Sequence, residues 1–176
     1  VTLTSALENL PGVTERTFND TGSINVGTKD LPNENGNAYG NISLRKALSV
    51  SSNVIFGGIL GEELGNKKLR ETAEKYGFNK DLYLGNLKAY SRSFPDRKTV
   101  DKGLIAYDAI GQGEVLSSPI EMAMVAATVA NNGVRMEPYI VSKVVDKDGD
   151  TVKEFSSTKK DTVMRSEEHT SELQSR

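Results

Sequence analysis

The chain has 176 residues, 36% of them hydrophobic and 26% charged, which suits one globular domain with a substantial core. Its 22 basic and 24 acidic residues give a net charge of −2 with no basic block, and this disfavours nucleic-acid binding, because neutralising phosphates takes clustered Lys and Arg. No apolar run nears the ~18 residues of a membrane span, no signal peptide opens the sequence, and the absence of cysteine excludes disulfides, a thiolate nucleophile and zinc–thiolate sites while leaving the compartment open.

In chain order, "VTLTSALENLPG" begins in mid-pattern, with Leu3, Ala6, Leu7 and Leu10 at helical spacing and Pro11-Gly12 as the stop, so it reads as the tail of a helix. Thr14 to Gly40 is rich in Asn, Asp, Gly and Thr and reads as a long loop with a small hairpin around "SINVG". "ISLRKALSVSS" follows, with Ser43 as N-cap and Leu44, Ala47 and Leu48 on one face. "VIFGGILGEELG" predicts a buried helix loosened by Gly57, Gly58 and Gly61. "NKKLRETAEKYGF" predicts a helix capped by Asn66, lined by Leu69, Ala73 and Tyr76, and closed by Gly77 at C′.

Residues 79 to 103 are polar and irregular. Beyond them Ser118, Pro119 and Glu121 spell a capping box with proline at N1, opening a helix that runs to Gly133. Its small face of Ala123, Ala126, Ala127 and Ala130 predicts close packing on another element. "YIVSKVVDKDGDTVKEF" alternates about a turn and reads as a β-hairpin. Residues 165 to 176, "RSEEHTSELQSR", resemble the conceptual translation of a sequencing adapter, so 1–164 is taken as a partial domain and 165–176 as a non-native tail. The only histidine, His169, lies in that tail, which leaves a Ser-His-Asp triad or a His metal ligand without a residue. The pattern is α/β or α+β, with helices dominating.

Several signals have plainer readings. "DKDGD" lacks the Gly and Glu positions of a calcium loop and is a hairpin turn. "GQG" lacks the third glycine and the β-α context of a phosphate cradle and is a tight turn between two helices. "NDT" and "NIS" match the glycosylation sequon but are too short to carry weight. Ser51-Ser52-Asn53 taken alone is a helix-end cap.

The order of features changes that reading. A helix tail, then "SLRKALSVSSNVIF", then "GQGEVLSSPIEMAMVAATVANNGVRMEP" and a hairpin together resemble the transpeptidase domain of class B penicillin-binding proteins, over residues 1 to 164. The resemblance implies the helical portion of the penicillin-binding/serine β-lactamase-like fold, with most of the central sheet missing and the helices around Ser51 packed with the Ala-rich helix. It implies three motifs, S-x-x-K, S-x-N and K-T-G, of which the chain is read as carrying only the second, the first lying before Val1 and the third beyond Met164.

By that resemblance the catalytic residues here are Ser51, relaying a proton between two lysines, and Asn53, its amide directed at the substrate peptide bond and the catalytic lysine. Ser52 would be a spacer that aims its neighbours. The oxyanion hole would come from backbone N–H groups at the nucleophile and on the K-T-G strand. No cofactor or metal is implied. The implied partners are the D-alanyl-D-alanine stem peptide of peptidoglycan and β-lactams. The implied setting is the extracytoplasmic face of the cell membrane, with a membrane anchor and a cell-wall synthesis complex in the parent protein. A β-lactam sensor without turnover, or a serine β-lactamase relative, stays open as an alternative.

Overall fold

The computed structural model describes residues 1–84, 87–89, 93–99 and 101–164; the adapter-like segment 165–176, with His169, lies outside them. Helix α1 (Thr2–Asn9) stops where Pro11-Gly12 predicts, with Gly12 at φ 69°. It buries Leu3 and Ala6 and, beside them, three hydroxyl residues. Thr2 Oγ1 donates to the Ala109 carbonyl (2.5 Å), the Thr4 and Tyr76 hydroxyls pair at 2.9 Å, and Ser5 Oγ donates to the Lys68 carbonyl (3.2 Å). Each bond spares a buried hydroxyl a desolvation penalty of roughly 1–3 kcal/mol, so α1 is polar in composition yet firmly docked.

The stretch expected to be mostly loop is more ordered. It holds β1 (Thr17–Asp20), the hairpin of β2 (Ser23–Asn25) and β3 (Asp30–Pro32), and β4 (Gly40–Ser43), which pairs antiparallel with β1 from Thr17↔Ser43 to Asp20↔Gly40. The hairpin matches expectation. The β1–β4 ladder does not, because its strands are too short to display a period and each partner is remote in sequence.

Ser43 caps α2 (Leu44–Ser49), its Oγ accepting from the Lys46 N–H at 3.3 Å. After a turn at 50–53 the chain forms a π-helical stretch, Val54–Leu60, that runs directly into α3 (Gly61–Tyr76). Gly57 and Gly58 serve close approach. A Cβ on Gly57 would lie 2.6 Å from Leu31 Cδ2 and 2.9 Å from the Ala106 carbonyl oxygen, and one on Gly58 would lie 2.5 Å from Ile24 Cγ2. The β2–β3 hairpin and the helix bearing Ala106 thereby press onto the stretch from two sides.

Helix α3 breaks at Gly65 (φ 67°, ψ 168°), and Asn66 is not its cap. The Asn66 amide instead donates to the Pro95 carbonyl (3.1 Å) and accepts from the Arg97 N–H (3.0 Å), so it ties down a segment that sequence periodicity cannot see. Leu69, Ala73 and Tyr76 are buried and Gly77 is left-handed at C′, as expected.

A small ladder of β5 (Tyr83–Leu84) and β6 (Leu87–Lys88) precedes α4 (Lys102–Ala109) and α5 (Pro119–Ala130). Ser118 Oγ accepts from the Glu121 N–H at 3.3 Å, so the hydroxyl arm of the capping box is present. The packing face of α5 is not the one expected. Glu121, Met124 and Thr128 are buried, whereas Ala123, Ala126, Ala127 and Ala130 are exposed, with no described element covering them.

β7 (Val134–Met136) pairs with β10 (Lys159–Thr162), and β8 (Lys143–Val145) pairs with β9 (Thr151–Glu154) as the expected hairpin. In its turn Asp146 Oδ1 accepts from the N–H groups of Asp148 and Asp150, which commits that carboxylate to the turn. Among the described residues every sheet has two strands, as suits a portion of a larger sheet. The main core joins α1, α2, the π-helical stretch, α3 and α4, while Ile140, Val144 and Val152 leave apolar surface exposed.

Gly57→Ala is expected to destabilise the chain by about 1–3 kcal/mol, since the Ala106 carbonyl cannot yield without moving the backbone and the buried Leu31 side chain would have to repack. Denaturant unfolding of the two proteins checks this; equal midpoints would mean that the approach is slack.

Candidate active site

Helix α2 ends in a Schellman motif. The Ser52 N–H donates to the Ala47 carbonyl (3.0 Å) and the Ser51 N–H to the Leu48 carbonyl (3.0 Å). Ser51 occupies C′ at φ 53°, a left-handed position that usually falls to glycine. For an L-residue that conformation costs roughly 1–2 kcal/mol. It turns the Ser51 side chain out of the helix path, and the residue is exposed.

Ser52 is the opposite, 1% exposed and fully engaged. Its Oγ accepts from the Ile55 N–H (3.1 Å), which makes it the working N-cap of the next helix. The same oxygen donates to Asp20 Oδ2 at 2.5 Å. Asp20, also 1% exposed, takes Gly22 N–H (2.9 Å) and Asn33 Nδ2 (2.7 Å) on its other oxygen. Asn33 Nδ2 further donates to the Asn37 carbonyl (2.9 Å), while its Oδ1 accepts from the Val54 N–H (3.1 Å). The carboxyl also sits at the N-terminal end of a long helix, where the macrodipole favours negative charge.

Asn53 opens that helix, and its Nδ2 donates to the Pro32 carbonyl at 2.9 Å. An amide has two N–H groups and an oxygen, so this bond leaves one N–H and the oxygen for the cleft. The three residues thus divide their work: Ser51 ends one helix, Ser52 caps the next, and Asn53 is steadied from the side by the β2–β3 hairpin. The sequence singled out Ser51 and Asn53, and the structure brings them together. It missed Asp20 and Asn33, which sit in short strand-end segments with no motif to mark them.

Ser51, Ser52 and Asn53 line one side of a cavity of about 550 Å³, faced by Phe56, Phe78, Phe94, Val115 and Met122. The far wall is held by three polar devices. Asn79 exchanges two hydrogen bonds with the backbone of Phe94 (3.0 Å each), and Asn66 pins Pro95 and Arg97 as described. Arg97 forks onto Asp108 through Nε and Nη2 (2.9 Å each) and reaches Glu114 with Nη1 (3.0 Å). The Arg97 and Asp108 side chains are 11% and 1% exposed, and the hydrogen bonds to Asp108, with the nearby negative charge, raise the Arg97 pKa above its ordinary value. This pair fastens the 93–99 segment to α4 and to the turn at 111–114.

The spacing S-x-x-K does occur, at Ser43/Lys46, Ser156/Lys159 and Ser157/Lys160, contrary to the reading that only S-x-N is present. None of these residues lines the cavity, and the Ser43 hydroxyl caps α2. No described lining residue is charged, and among the described residues no three His, Cys, Asp or Glu side chains are grouped to hold a metal ion. The cleft therefore offers hydroxyls, of which those of Ser51 and Ser117 are exposed, an amide and an apolar wall. That set can relay a proton and orient a peptide bond, and among the described lining residues no side chain is a carboxylate, a histidine or a lysine.

Residues 1–174 match the family model described as the penicillin binding protein transpeptidase domain. The chain is 34% identical over 112 residues to the peptidoglycan D,D-transpeptidase PbpA of Mycolicibacterium smegmatis, covering 63% of this chain and 22% of that protein. It thus spans less than a quarter of that curated relative. Among solved structures, the penicillin G acyl-enzyme complex of Mycobacterium tuberculosis penicillin-binding protein A superposes with a TM-score of 0.91 at 24% identity, over 99% of this chain and 40% of that one. The D,D-transpeptidase domain of an Eggerthella lenta peptidoglycan glycosyltransferase gives 0.87 at 28% identity, over 99% and 45%.

Ser51→Gly is expected to stabilise the fold by about 0.5–1 kcal/mol, the left-handed penalty less glycine's extra chain entropy. Chemical denaturation measures this; a loss of stability would show that the Ser51 side chain itself helps to hold the turn.

Proposed function

Because the chain belongs to the penicillin-binding protein transpeptidase domain family, we propose that it is part of a peptidoglycan D,D-transpeptidase whose proton relay is Ser51 and whose substrate-orienting amide is Asn53. The observation that carries this reading is that Ser51, on a left-handed backbone, and Asn53 both line the apolar cavity. A structural turn alone gains nothing from serine at a position that glycine fills at lower cost.

In the proposed reaction a serine nucleophile attacks the penultimate carbonyl of a D-alanyl-D-alanine stem peptide, D-alanine leaves, and the amine of a second peptide takes up the acyl group. The serine's proton must reach the departing amine, and a hydroxyl that both donates and accepts can pass it on. Asn53 aligns the peptide bond with its remaining amide groups. The nucleophile, its lysine and the K-T-G strand belong to sequence outside residues 1–164 on this reading, and the whole protein works on the outer face of the cell membrane as part of a cell-wall synthesis complex. β-Lactams would acylate the same serine.

Two outcomes follow. In the full-length protein, Ser51→Ala and Asn53→Ala each slow acylation by a fluorescent penicillin on the order of 100-fold, with far-UV circular dichroism unchanged. The 176-residue chain by itself forms no covalent adduct, since nucleophile, base and half the oxyanion hole act as a unit. Wild-type acylation rates in both variants, or labelling of the isolated chain, would overturn the assignment.

A further inference from the structure

We infer that Asp20 and Asn33 are positioning residues for the acylation chemistry, acting through Ser52 on Ser51 and Asn53; this rests on the transpeptidase reading of the cleft. Neither residue lines the cavity. Their influence runs through four bonds: Ser52 Oγ to Asp20 (2.5 Å), the Val54 N–H to Asn33 (3.1 Å), Asn33 to Asp20 (2.7 Å), and Asn53 Nδ2 to the carbonyl of Pro32, the residue just before Asn33 (2.9 Å).

Ser51 needs such an anchor. Its φ of 53° is unfavourable, and the two Schellman bonds fix it only from the α2 side. A strained residue persists only where its surroundings over-determine it. Ser52, one bond away and tied to a buried carboxyl, is the restraint on the other side. If that tie is lost, the turn relaxes and the Ser51 hydroxyl leaves the line between the groups it serves. The apolar wall of Phe56, Phe78 and Phe94 is untouched, so a ligand still docks while the chemistry slows.

Asp20 receives three donors: the Ser52 hydroxyl, the Gly22 N–H and the Asn33 amide. Asparagine would keep an acceptor oxygen for Gly22 and Asn33 and turn an N–H toward Ser52 Oγ, which can accept it, so Asp20→Asn reverses the bond without removing it. Asp20→Ala removes all three acceptor contacts and breaks the node. Ser52→Ala removes one hydroxyl and leaves Asp20 its other two donors.

The test uses the full-length protein with Asp20→Ala, Ser52→Ala and the double variant. The acylation rate constant with a fluorescent penicillin is separated from the dissociation constant of the non-covalent complex. The rate constant is expected to fall on the order of 10- to 100-fold with the dissociation constant unchanged. The double variant should be no slower than the slower single one, because both break the same bond. A purely structural role would lower the denaturation midpoint and leave the rate constant of the folded protein alone, which overturns the inference. Should Asp20→Ala not fold, Ser52→Ala decides by the same criterion. A wild-type protein that is not acylated removes the transpeptidase reading and this inference with it; wild-type acylation with unaltered variants removes the inference alone.

Discussion

A carboxyl group sealed from water must find its hydrogen bonds inside the protein, and Asp20 finds three from three different places in the chain. One comes from its own loop, at Gly22, one from the end of the β2–β3 hairpin, at Asn33, and one from the helix junction, at Ser52. Leaving a buried acidic group without such partners costs several kcal/mol. The node therefore obliges the strand-rich stretch and the helical core to adopt their arrangement together. Strands of three or four residues would not hold by themselves. They persist because they carry the acceptors that a buried helix start requires.

The opposite wall of the cleft obeys the same rule with a full ionic pair. Arg97 lies on an irregular segment, and its fork to nearly inaccessible Asp108 provides what secondary structure does not. Asn66 and Asn79 supply backbone bonds that a neighbouring strand would otherwise make. The apolar face presented by Phe94 is thus positioned by polar groups behind it. An apolar cleft lined by residues from separate segments owes its shape to the buried polar contacts that fasten those segments.

Local features were legible in the sequence where local chemistry decides them. Ser43, Ser118, Gly77 and the turn at Asp146 each act within a few residues, and each appears where the pattern puts it. Ser51 and Asn53 were singled out by the order of motifs and not by propensity, and both line the cavity. Asn66 was misread because asparagine before a helical run signals a cap just as well as it signals a tie to a distant loop. The small face of α5 was legible as a pattern, but its burial depends on tertiary partners, and among the described residues none covers it. Asp20 and Asn33 stayed invisible for a related reason: burial of a polar residue shows in the sequence only when the apolar period around it is long enough to read, and here it is not. The helix-cap reading of Ser51-Ser52-Asn53 falls on Ser52, whose Oγ accepts from the Ile55 N–H, and so leaves the hydroxyl of Ser51 uncommitted to capping.

The π-helical stretch Val54–Leu60 joins two regions with independent demands. Its upstream end is oriented by Asp20 and Asn33, whereas α3 beyond it is oriented by the hydroxyls and side chains of α1 and α4. Each residue of a regular helix advances the azimuth by about 100°, so two fixed ends are compatible only at particular lengths. A wider π turn absorbs a residue that an α-helix would have to express as rotation. The stretch works as a phase adjuster. Removing one residue would let the wide turn close to a regular α-helix with its ends still near phase, whereas adding one would swing Ser51 and Asn53 about the helix axis relative to α3.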